Sequence, residues 1–473
     1  MGRYQDALDY IFGYVNYEKK ARYPYDAATF DLSRMEKVLE LLGRPHDSFR
    51  SVHIAGTKGK GSTSAMVESV LRSAGFRTGL FTSPHLHSFR ERIRVGSELM
   101  SKADLVDLLD RCRPALEAVE GITAFEVMTA MAFKHFAEQQ VDWAVVEVGL
   151  GGRLDATNVV HPAVCAITSL SYDHVELLGH TLSLIAFEKA GIIKTGVPVV
   201  SAPQEPEAMA VLQRVCHDAG THLTVVGDSW THEKGTFDLS GQTLTVRGPG
   251  GQPVFHDLRI PLLGDYQLDN ATTAIAILQQ LRDGGISISD DAIVEGLANA
   301  RWPGRFEFLK NAATIVVDSA HNENSAHKLR GSLAAYFPRP PRRRLCLVFG
   351  ASADKDIDGM LRKFLEPASV TGYQPADKVI VTKSGHPRSA DPAQLADQVR
   401  HVNSRTPISV QSDLSSAINE ALAWARQDDL IIITGSIFAV AQARRDWAHR
   451  HPEAFAADDW VWQDETAGEV VPD

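Results

Sequence analysis

A glycine-rich segment at residues 51–75, SVHIAGTKGKGSTSAMVESVLRSAG, carries the residue types that bind phosphate groups. Its loop glycines are Gly56, Gly59 and Gly61. Because glycine has no Cβ, consecutive backbone N–H groups can turn inward around an anion, beside the positive end of the following helix. Lys60 adds a mobile positive charge, and Ser62 or Thr63 offers a hydroxyl for magnesium or a phosphate oxygen. The segment therefore predicts a site for nucleotide phosphates.

This loop departs from the usual G-x-x-x-x-G-K-[ST] spacing of phosphate loops. Position 54 holds Ile, and Gly61 separates the lysine from the hydroxyl residue. A tight strand-to-helix turn without a ligand is the alternative interpretation, but the strand, the loop and the helix all agree with nucleotide binding. The sequence contains no [NT]-K-x-D tetrapeptide of the kind that reads guanine, so a GTPase is not expected.

Polar residues end or follow three of the apolar runs that resemble strands. Ser83 ends TGLFTS, Glu147 lies in WAVVEVG, and AVCAITSL leads into Ser171, Asp173 and His174. In open parallel sheets ligands gather beyond the carboxyl ends of the strands, so a carboxylate, an imidazole and two hydroxyls should converge beside the phosphates. Magnesium prefers few protein ligands plus phosphate oxygens, and the histidine points to a second cation position. Taken singly, Glu147 and His174 could equally cap strand ends.

The elements that must position these residues alternate between strands and helices. Continuously apolar runs, typical of a parallel sheet covered on both faces, occupy 51–56, 78–83, 143–149, 163–170 and 197–202. Helices are predicted at 62–74, 102–119, 124–139 and 183–192. The stretch 221–264 breaks this rhythm with short alternating runs and turn residues, which predict appended β-hairpins before a helix at about 268–283.

A second α/β rhythm predicts a separate, doubly wound domain. Its strands are expected within 313–320, 343–352, 377–385, 408–412 and 429–436. We place the two domains at 1–300 and 301–450, because proline and glycine interrupt the helix near NARWPGRFE. Residues 451–473 are acidic and contain tryptophan, which predicts a surface tail, and the PRPPRRR tract at 338–344 fits a solvated loop better than a basic ligand patch.

Composition excludes several classes of protein. The 473 residues are 44% hydrophobic and 23% charged, as in an ordinary globular protein, and the net charge of −11 argues against a general nucleic-acid binder. Four widely spaced cysteines give no zinc signature and fit a reducing compartment. The first residues lack a signal-peptide pattern, and no run of 18 apolar residues occurs. We therefore expect a cytoplasmic protein with no membrane partner.

Nine ordered motifs resemble one enzyme family. They are GTKGKGS, TSPHL with RERIRV, FEVMTA, VEVGLGGRLDATN, SYDHVELLG, EKAGIIK, RWPGRFE, DSAHN and TGS. The same order is seen in folylpolyglutamate synthases and dihydrofolate synthases, which belong to the Mur-ligase superfamily of ATP-dependent amide ligases. The resemblance runs from about residue 25 to 445. It implies an N-terminal ATPase domain with a phosphate loop and a smaller, Rossmann-like C-terminal domain, with ATP between them.

The resemblance also implies roles for individual residues. The ATP phosphates would be held by Gly56, Thr57, Lys58, Gly59, Lys60, Gly61 and Ser62. Ser83 and Glu147 would bind one magnesium ion and His174 a second, so that Lys60, His174 and Lys189 form the catalytic set. Lys189 of EKAGIIK matches a lysine that carbon dioxide carbamylates in the family; a carbamate turns this cation into an anion able to hold the second metal. That chemistry needs a buried lysine with a lowered pKa, and a surface lysine on a helix is the alternative interpretation.

Other matching residues would bind the remainder of the nucleotide and the amino acid. Asn270 would contact the adenine side of ATP, and Arg305 would meet the phosphates from the domain junction unless it forms an interdomain ion pair. Asp318 would hold the nucleotide from the second domain, with His321 nearby. Ser436 is a weaker candidate for the incoming glutamate, and strand-end capping explains it equally well.

The folate-like substrate would occupy a further set of residues. The family uses the segment that matches Thr123, Phe125 and Glu126, together with an N-terminal loop near Asp26–Thr29. Phe125 is equally compatible with a core position.

The implied reaction joins a carboxylate to L-glutamate. The substrate carboxylate attacks the γ-phosphorus of ATP, and the glutamate amine then displaces phosphate from the acyl phosphate. A cell-wall amino-acid ligase is a rival, but the phosphate loop begins too early to leave room for a preceding UDP-sugar domain. A nucleotide-binding switch protein that does not ligate is a second rival. The residues leave open whether dihydropteroate, reduced folates or both are acceptors, and the family is commonly monomeric.

Overall fold

The computed structural model describes residues 2–17, 30–309, 314–338 and 343–463. The predicted substrate loop near Asp26–Thr29 lies outside the described residues, as do residues 339–342 of the PRPPRRR tract and the last part of the predicted tail. Within the described part, two open α/β sheets and one small antiparallel sheet account for the strands. The predicted pair of α/β units is therefore confirmed.

The first sheet has eight strands. They are β1 (Arg50–Ala55), β2 (Thr78–Phe81), β3 (Ile93–Val95), β4 (Glu98–Leu99), β5 (Trp143–Glu147), β6 (Val164–Ile167), β7 (Val199–Ser201) and β8 (Leu223–Val225). Their order is β4-β3-β2-β5-β1-β6-β7-β8, and all neighbours from β2 to β8 pair in parallel. The phosphate loop leaves β1 at the centre of this sheet, with β5 and β6 on either side.

Helices cover both faces of the first sheet. They are α1 (Gly2–Gly13), α2 (Leu32–Leu41), α3 (Lys60–Ser73), α4 (Lys102–Glu117), α5 (Ala124–Glu138), α6 (Val175–Leu178), α7 (Leu182–Ala190), α8 (Pro206–Asp218), α9 (Asp265–Asp283) and α10 (Asp290–Ala298). Along β5, Val145 packs with α3 and α9, whereas Ala144 and Val146 pack with α4 and α5. Burial on both faces explains why the strands are continuously apolar rather than alternating.

The hairpin prediction for residues 221–264 is partly wrong. Its first strand, β8, joins the edge of the parallel sheet through pairing with β7. The remaining strands, β9 (Thr231–Asp238), β10 (Gly241–Arg247) and β11 (Pro253–Ile260), form the expected antiparallel sheet. A three-residue strand such as β8 carries too little pattern to distinguish an edge strand from a hairpin strand.

The second α/β unit has a six-stranded sheet of order β12-β13-β17-β14-β15-β16. Its strands are β12 (Glu307–Leu309), β13 (Thr314–Asp318), β14 (Leu345–Phe349), β15 (Lys378–Val381), β16 (Ile408–Val410) and β17 (Leu430–Thr434). Its helices are α11 (Glu323–Tyr336), α12 (Ile357–Leu365), α13 (Ala368–Thr371), α14 (Pro392–Val402), α15 (Leu414–Trp424) and α16 (Ile437–Arg450). All pairs are parallel except β12 with β13.

The change from one sheet to the other falls where the sequence predicts the domain join. Helix α10 ends at Ala298 and belongs to the first core, whereas β12 begins at Glu307 in the second sheet. The predicted surface tail at 451–473 is wrong for its first part. Residues 452–463 pack back onto the molecule, and Val461 is 4% exposed.

No helix in the described part of the chain is both long and apolar enough to cross a membrane.

One buried histidine on β1 should make stability depend on pH. His53 is fully buried, and its Nε2 lies 2.8 Å from the Thr157 hydroxyl. Burial lowers the pKa of His53 to about 3, below its ordinary value of 6.5. On acidification, the unfolded chain takes up a proton at this histidine that the folded chain excludes. The stabilisation that comes from the neutral, buried His53 is therefore complete above pH 6.5. It is lost as the pH falls toward 3, at about 1.4 kcal/mol of unfolding free energy per pH unit.

We expect His53→Gln to remove this dependence. Between pH 7 and pH 5, the parent should lose about 2 kcal/mol more unfolding free energy than the variant, measured by urea denaturation. The exposed His217 offers a matched control, and His217→Gln should follow the parent. Equal losses in the parent and His53→Gln would contradict the assignment.

Candidate active site

One cavity of about 670 Å³ lies between the carboxyl ends of the two sheets. Most site residues predicted from the sequence within the described part of the chain line it, from the phosphate loop to Asp318, His321 and Ser436. Thr63 and Ser171 do not line it and are buried beside it, so Ser62 is the hydroxyl of the loop that reaches the cavity. The convergence follows from topology, because the carboxyl ends of parallel strands share one edge of a sheet. Several of these residues also make structural contacts that the sequence did not predict.

The phosphate loop is tightly packed at all three glycines. Gly56 and Gly59 have φ angles of +149° and +91°, which side-chain-bearing residues rarely adopt. A Cβ at Gly59 would lie 2.3 Å from Asn270 Oδ1, and one at Gly61 would lie 2.3 Å from the Trp302 ring. The loop therefore needs glycine for its backbone angles at two positions and for space at the third.

We expect from the sequence that the backbone amides of the loop are free to bind phosphate, but not all of them are. The N–H groups of Thr57 and Lys58 both donate to the Ser169 carbonyl at 3.0 Å. The N–H groups that begin α3 at Lys60 have no acceptor within the helix, since the first turn lacks preceding carbonyls. The backbone amides of the loop that remain available to an anion therefore begin at Gly59.

Asn270 supports the loop from α9. Its Nδ2 donates to Gln267 Oε1 at 2.9 Å, and Gln267 Nε2 in turn donates to the Ser62 hydroxyl at 3.3 Å. Asn270 therefore packs beneath Gly59 and Ser62, next to the predicted phosphate position. The predicted contact of Asn270 with adenine stays a prediction.

Lys60 and Glu147 form a charged pair at the end of β5. Lys60 Nζ lies 3.7 Å from Glu147 Oε1, and the other carboxylate oxygen accepts the Ser83 N–H at 3.3 Å. Burial raises the pKa of Glu147, and the nearby Lys60 partly offsets that rise. Within the described residues the Ser83 hydroxyl has no hydrogen-bond partner. Glu147 and Ser83 thus present oxygen donors beside the mobile cation of the loop.

A second group of charges joins the two domains, and we call it the interdomain charge cluster. Its members are Lys58, Asp173, His321, Asn322 and Lys355. Asp173 accepts from Lys58 at 2.8 Å, from Asn322 at 3.1 Å and from Lys355 at 3.3 Å. Burial alone would raise the pKa of Asp173, but the positive charges of Lys58 and Lys355 hold it well below its ordinary value.

His321 is neutral in this cluster. Its Nδ1 lies 2.9 Å from the Ser319 carbonyl, which can only accept, so Nδ1 carries the proton. Nε2 then accepts from Lys58 Nζ at 2.8 Å. Burial lowers the pKa of His321 to about 4 and that of Lys58 to about 8. The cluster thus places two lysines at the predicted phosphate position with one carboxylate between them.

His174 and Lys189 line the same side of the cavity. His174 has a left-handed backbone, with φ of +50°, and burial lowers its pKa to about 3, which leaves a neutral imidazole. Lys189 is 5% exposed and, within the described residues, makes no hydrogen bond or ion pair. Burial, reinforced by Lys60, lowers the pKa of Lys189 to about 7. The alternative interpretation of Lys189 as a surface residue is therefore wrong.

Arg305 and Asp318 meet at the domain junction. Asp318 is buried, and its two oxygens accept the N–H groups of Phe306 and Ala320, each at 2.8 Å. Burial raises the pKa of Asp318, whereas Arg305 opposes that rise, as it does for Glu147. Arg305 therefore places positive charge between carboxylates of both domains. Nucleotide contacts by Arg305 and Asp318 stay predictions.

Two of the three predicted folate contacts have a structural role. Thr123 and Glu126 cap α5 as a reciprocal pair: Thr123 Oγ1 accepts the Glu126 N–H at 3.3 Å, and Glu126 Oε2 accepts the Thr123 N–H at 2.7 Å. Glu126 also pairs with Arg34 at 3.2 Å. All three residues line the cavity, where Phe125 packs against Gly149, at which a Cβ would lie 2.4 Å from its ring. Of these three residues, Phe125 is thus the one that offers an apolar surface to a substrate.

Ser436 also acts as a cap. Its hydroxyl accepts the Ala439 N–H at 3.1 Å at the start of α16, and the residue is buried. Ser436 thus caps the start of α16 rather than the strand end that the sequence left open, and a contact with glutamate stays a prediction.

Sequence reasoning missed several residues that line the cavity or, in the case of Asn322, support it from behind. Lys355 and Asn322 complete the interdomain charge cluster, and Trp302 packs on Gly61. His386 and Phe438 stack with ring centroids 3.7 Å apart. Lys355 could have been found, since GASADKD follows β14 at the carboxyl edge of the second sheet. The aromatic residues carried no such signal.

The predicted magnesium sites fit the donors that are present. In the described part of the chain, no group of three or more His, Cys, Asp or Glu residues is placed to hold a metal. Magnesium needs no such group, because it takes one or two protein oxygens plus phosphate oxygens and water. The buried carboxylate of Glu147 and the Ser83 hydroxyl meet that requirement, and the neutral His174 imidazole lines the same cavity as a nitrogen donor for the second predicted position.

Comparison with known proteins agrees with this geometry. Residues 54–278 match the Mur ligase middle domain, and residues 304–437 match the Mur ligase glutamate ligase domain. The chain is 33% identical to the dihydrofolate synthase/folylpolyglutamate synthase of Bacillus subtilis, covering 93% of this chain and 98% of that protein. It is 36% identical to a probable bifunctional folylpolyglutamate synthase/dihydropteroate synthase of Halobacterium salinarum, covering 95% of this chain but 52% of that longer protein.

A solved structure extends the agreement to the whole fold. Mycobacterium tuberculosis folylpolyglutamate synthase complexed with ADP superposes with a TM-score of 0.83 at 32% identity, covering 94% of this chain and 98% of that one. The chain has both Mur ligase domains in order, with one cavity between them, and its relatives match it over nearly their full length. The chain therefore belongs to the folylpolyglutamate synthase/dihydrofolate synthase family of ATP-dependent Mur-type ligases.

Proposed function

We propose that this chain uses ATP to join L-glutamate to the carboxylate of a folate-type acceptor, and that it accepts both dihydropteroate and reduced folates. The observation that carries the proposal is the single cavity in which Lys60 and Glu147 at the phosphate loop face the interdomain charge cluster, with Phe125 on its wall. The Bacillus subtilis relative, which this chain matches over 98% of its length, is named for both activities.

The first stage activates the acceptor. A carboxylate is a poor electrophile, so its oxygen first bonds to the γ-phosphorus of ATP while the bond to ADP breaks. Negative charge then spreads over the oxygens of the transferred group, where positioned cations lower the barrier. Lys60, Lys58 and Lys355 supply that charge from both domains, and the N–H groups from Gly59 onward hold the phosphates.

The second stage forms the amide. The glutamate nitrogen bonds to the acyl carbon, the carbon–oxygen bond to phosphate breaks, and the nitrogen loses a proton. The acyl phosphate must be kept from water, which a cavity closed by two domains can achieve. The neutral His321 and the cluster around Asp173 lie where the second domain meets this position.

Magnesium would be held by Glu147 and Ser83 near the phosphate loop and by His174 further along the cavity. When bound, it supplies charge that neutralises phosphate oxygens and orients them. Lys189 would complete the second position as a carbamate. Support for this comes from its burial, its lack of a partner among the described residues and its pKa of about 7, because carbon dioxide reacts with the free amine.

Removal of carbon dioxide should lower turnover by about tenfold, as expected when a supporting metal-site ligand is lost. Bicarbonate should restore the rate in the parent but not in Lys189→Met, which cannot form the carbamate. A ¹³C-bicarbonate NMR spectrum should also show a carbamate resonance in the parent that Lys189→Met lacks. An unchanged rate without carbon dioxide, together with no such resonance, would overturn the carbamate proposal.

The proposed activity is tested by phosphate release from MgATP in the presence of bicarbonate. Dihydropteroate and tetrahydrofolate are offered in separate reactions, each with and without L-glutamate. We expect glutamate-dependent release with both acceptors. Release with one acceptor would refute the dual assignment, and no release with either from protein that binds ADP would refute the acceptor class.

A further inference from the structure

Residues 452–463 form a segment that connects parts of both domains, and we call it the C-terminal strap. It follows α16 with two short 3₁₀ turns, Pro452–Ala454 and Trp460–Gln463. It lies beyond residues 304–437, the part matched to the glutamate ligase domain. Its Trp460 lines the active-site cavity.

The strap contacts the first domain near β3. Arg90 donates to Gln463 Oε1 at 2.9 Å. The Arg94 guanidinium lies 4.5 Å from the centroid of the Trp460 ring and 6.0 Å from that of Trp302. Trp460 therefore lies on one side of the Arg94 guanidinium, and Trp302 lies on another side of it.

The strap also contacts the domain join and the second domain. Arg301 pairs with Asp458 at 2.7 Å and with Asp459 at 3.9 Å. Asp459 pairs with Arg444 of α16 at 3.2 Å, and Arg444 is fully buried and also binds Glu307 at 2.8 Å. Asp459 thus links the join to the second sheet.

Arg94 depends on these aromatic faces. It is 5% exposed, and its Nε and Nη2 atoms have no hydrogen-bond partner within the described residues. A buried guanidinium without such partners is stabilised by aromatic faces, and this attraction is strongest when water is excluded. On the far side, Trp302 packs against Gly61, which fixes that part of the phosphate loop. The contacts run from Trp460 through Arg94 and Trp302 to Gly61.

We propose that Trp460 is a positioning residue for the ATP site and that the strap keeps the two domains in the arrangement that binds nucleotide. The nucleotide part of this inference rests on the proposed function. Without the strap, a smaller fraction of the protein has the binding-competent arrangement. The apparent Kd for nucleotide equals the intrinsic Kd divided by that fraction, so the apparent affinity falls. Bound substrates restore the arrangement, so the rate at saturation changes little.

Calorimetric titration of the full chain with MgADP tests the proposal without requiring ligation. We expect Trp460→Leu to raise the Kd by about five- to tenfold, in line with a several-fold loss of competent protein. In the ligation assay, the KM for ATP should rise by a similar factor, while kcat stays within about twofold. Phe237→Leu is the control, since Phe237 is an exposed aromatic residue on β9 that does not line the cavity and should leave both constants unchanged.

Truncation supplies an independent variant. Removal of residues 452–473 should weaken MgADP binding as Trp460→Leu does, whereas removal of residues 464–473 alone should not. Should either strap variant fail to fold, Asp459→Asn tests the same link and should also raise the Kd. Unchanged MgADP affinity in the folded strap variants would overturn the proposal. Weaker binding in an enzyme that ligates no glutamate would uphold the strap and refute the proposed function instead.

Discussion

Lys60→Met should lower kcat by about 10³-fold, the upper range for loss of one positioned charge in an active site. Lys60 Nζ lies 3.7 Å from Glu147 and lines the cavity beside the phosphate loop, so it can move between the carboxylate and the transferred phosphoryl group. Methionine keeps most of the side-chain volume but cannot offset the charge that develops there. Steady-state phosphate release at saturating ATP measures the effect.

Controls separate this effect from damage to the fold. Lys363→Met removes a lysine that pairs with Glu323 away from the cavity, and it should keep parental turnover. MgADP should still bind Lys60→Met, although more weakly, because the glycine loop remains. A Lys60→Met enzyme that keeps more than about a tenth of parental kcat would contradict the role of Lys60 in phosphoryl transfer.

Asp173→Asn should damage both stability and activity. Asp173 lies between Lys58 at 2.8 Å and Lys355 at 3.3 Å, and all three side chains are largely buried. Asparagine keeps the shape but leaves two buried cations without a counter-charge, which costs about 3–5 kcal/mol when one partner of a buried pair is removed. Because the cluster joins the domains, kcat/KM should fall by about 10²-fold through misplacement of the second domain.

A double variant shows whether the charge imbalance causes the loss. Adding Lys355→Met to Asp173→Asn removes one uncompensated cation and should recover part of the unfolding free energy, measured by denaturant titration. Strict additivity of the two substitutions would contradict the idea that Asp173 and Lys355 interact directly across the domain boundary.

Much of the site could be predicted because parallel sheets fix where functional side chains lie. Once β1, β2, β5 and β6 were identified by their apolar runs, their carboxyl ends had to meet, and with them Ser83, Glu147 and His174. Positional matches to known motifs then brought in residues of the second sheet. This reasoning needs the order of elements but no side-chain detail.

The other features of the site depend on contacts that a sequence pattern does not reveal by itself. Thr123 and Glu126 have the T-x-x-E spacing of a capping box, which predicts the start of α5 but does not say whether the same side chains also bind a substrate. The N–H groups of Thr57 and Lys58 are occupied by hydrogen bonds to the Ser169 carbonyl, and these bonds depend on how closely two loops approach each other. The strap resembled a tail because its few apolar residues, such as Trp460, act singly rather than in a periodic stripe.

The most direct test of the account follows oxygen atoms through one turnover. The acceptor is prepared with ¹⁸O in its reacting carboxylate and incubated with MgATP and L-glutamate, and the released phosphate is analysed by mass spectrometry. Activation through an acyl phosphate predicts that each released phosphate carries one ¹⁸O atom, with the other retained in the amide. Amide formation with unlabelled phosphate would contradict the proposed chemistry.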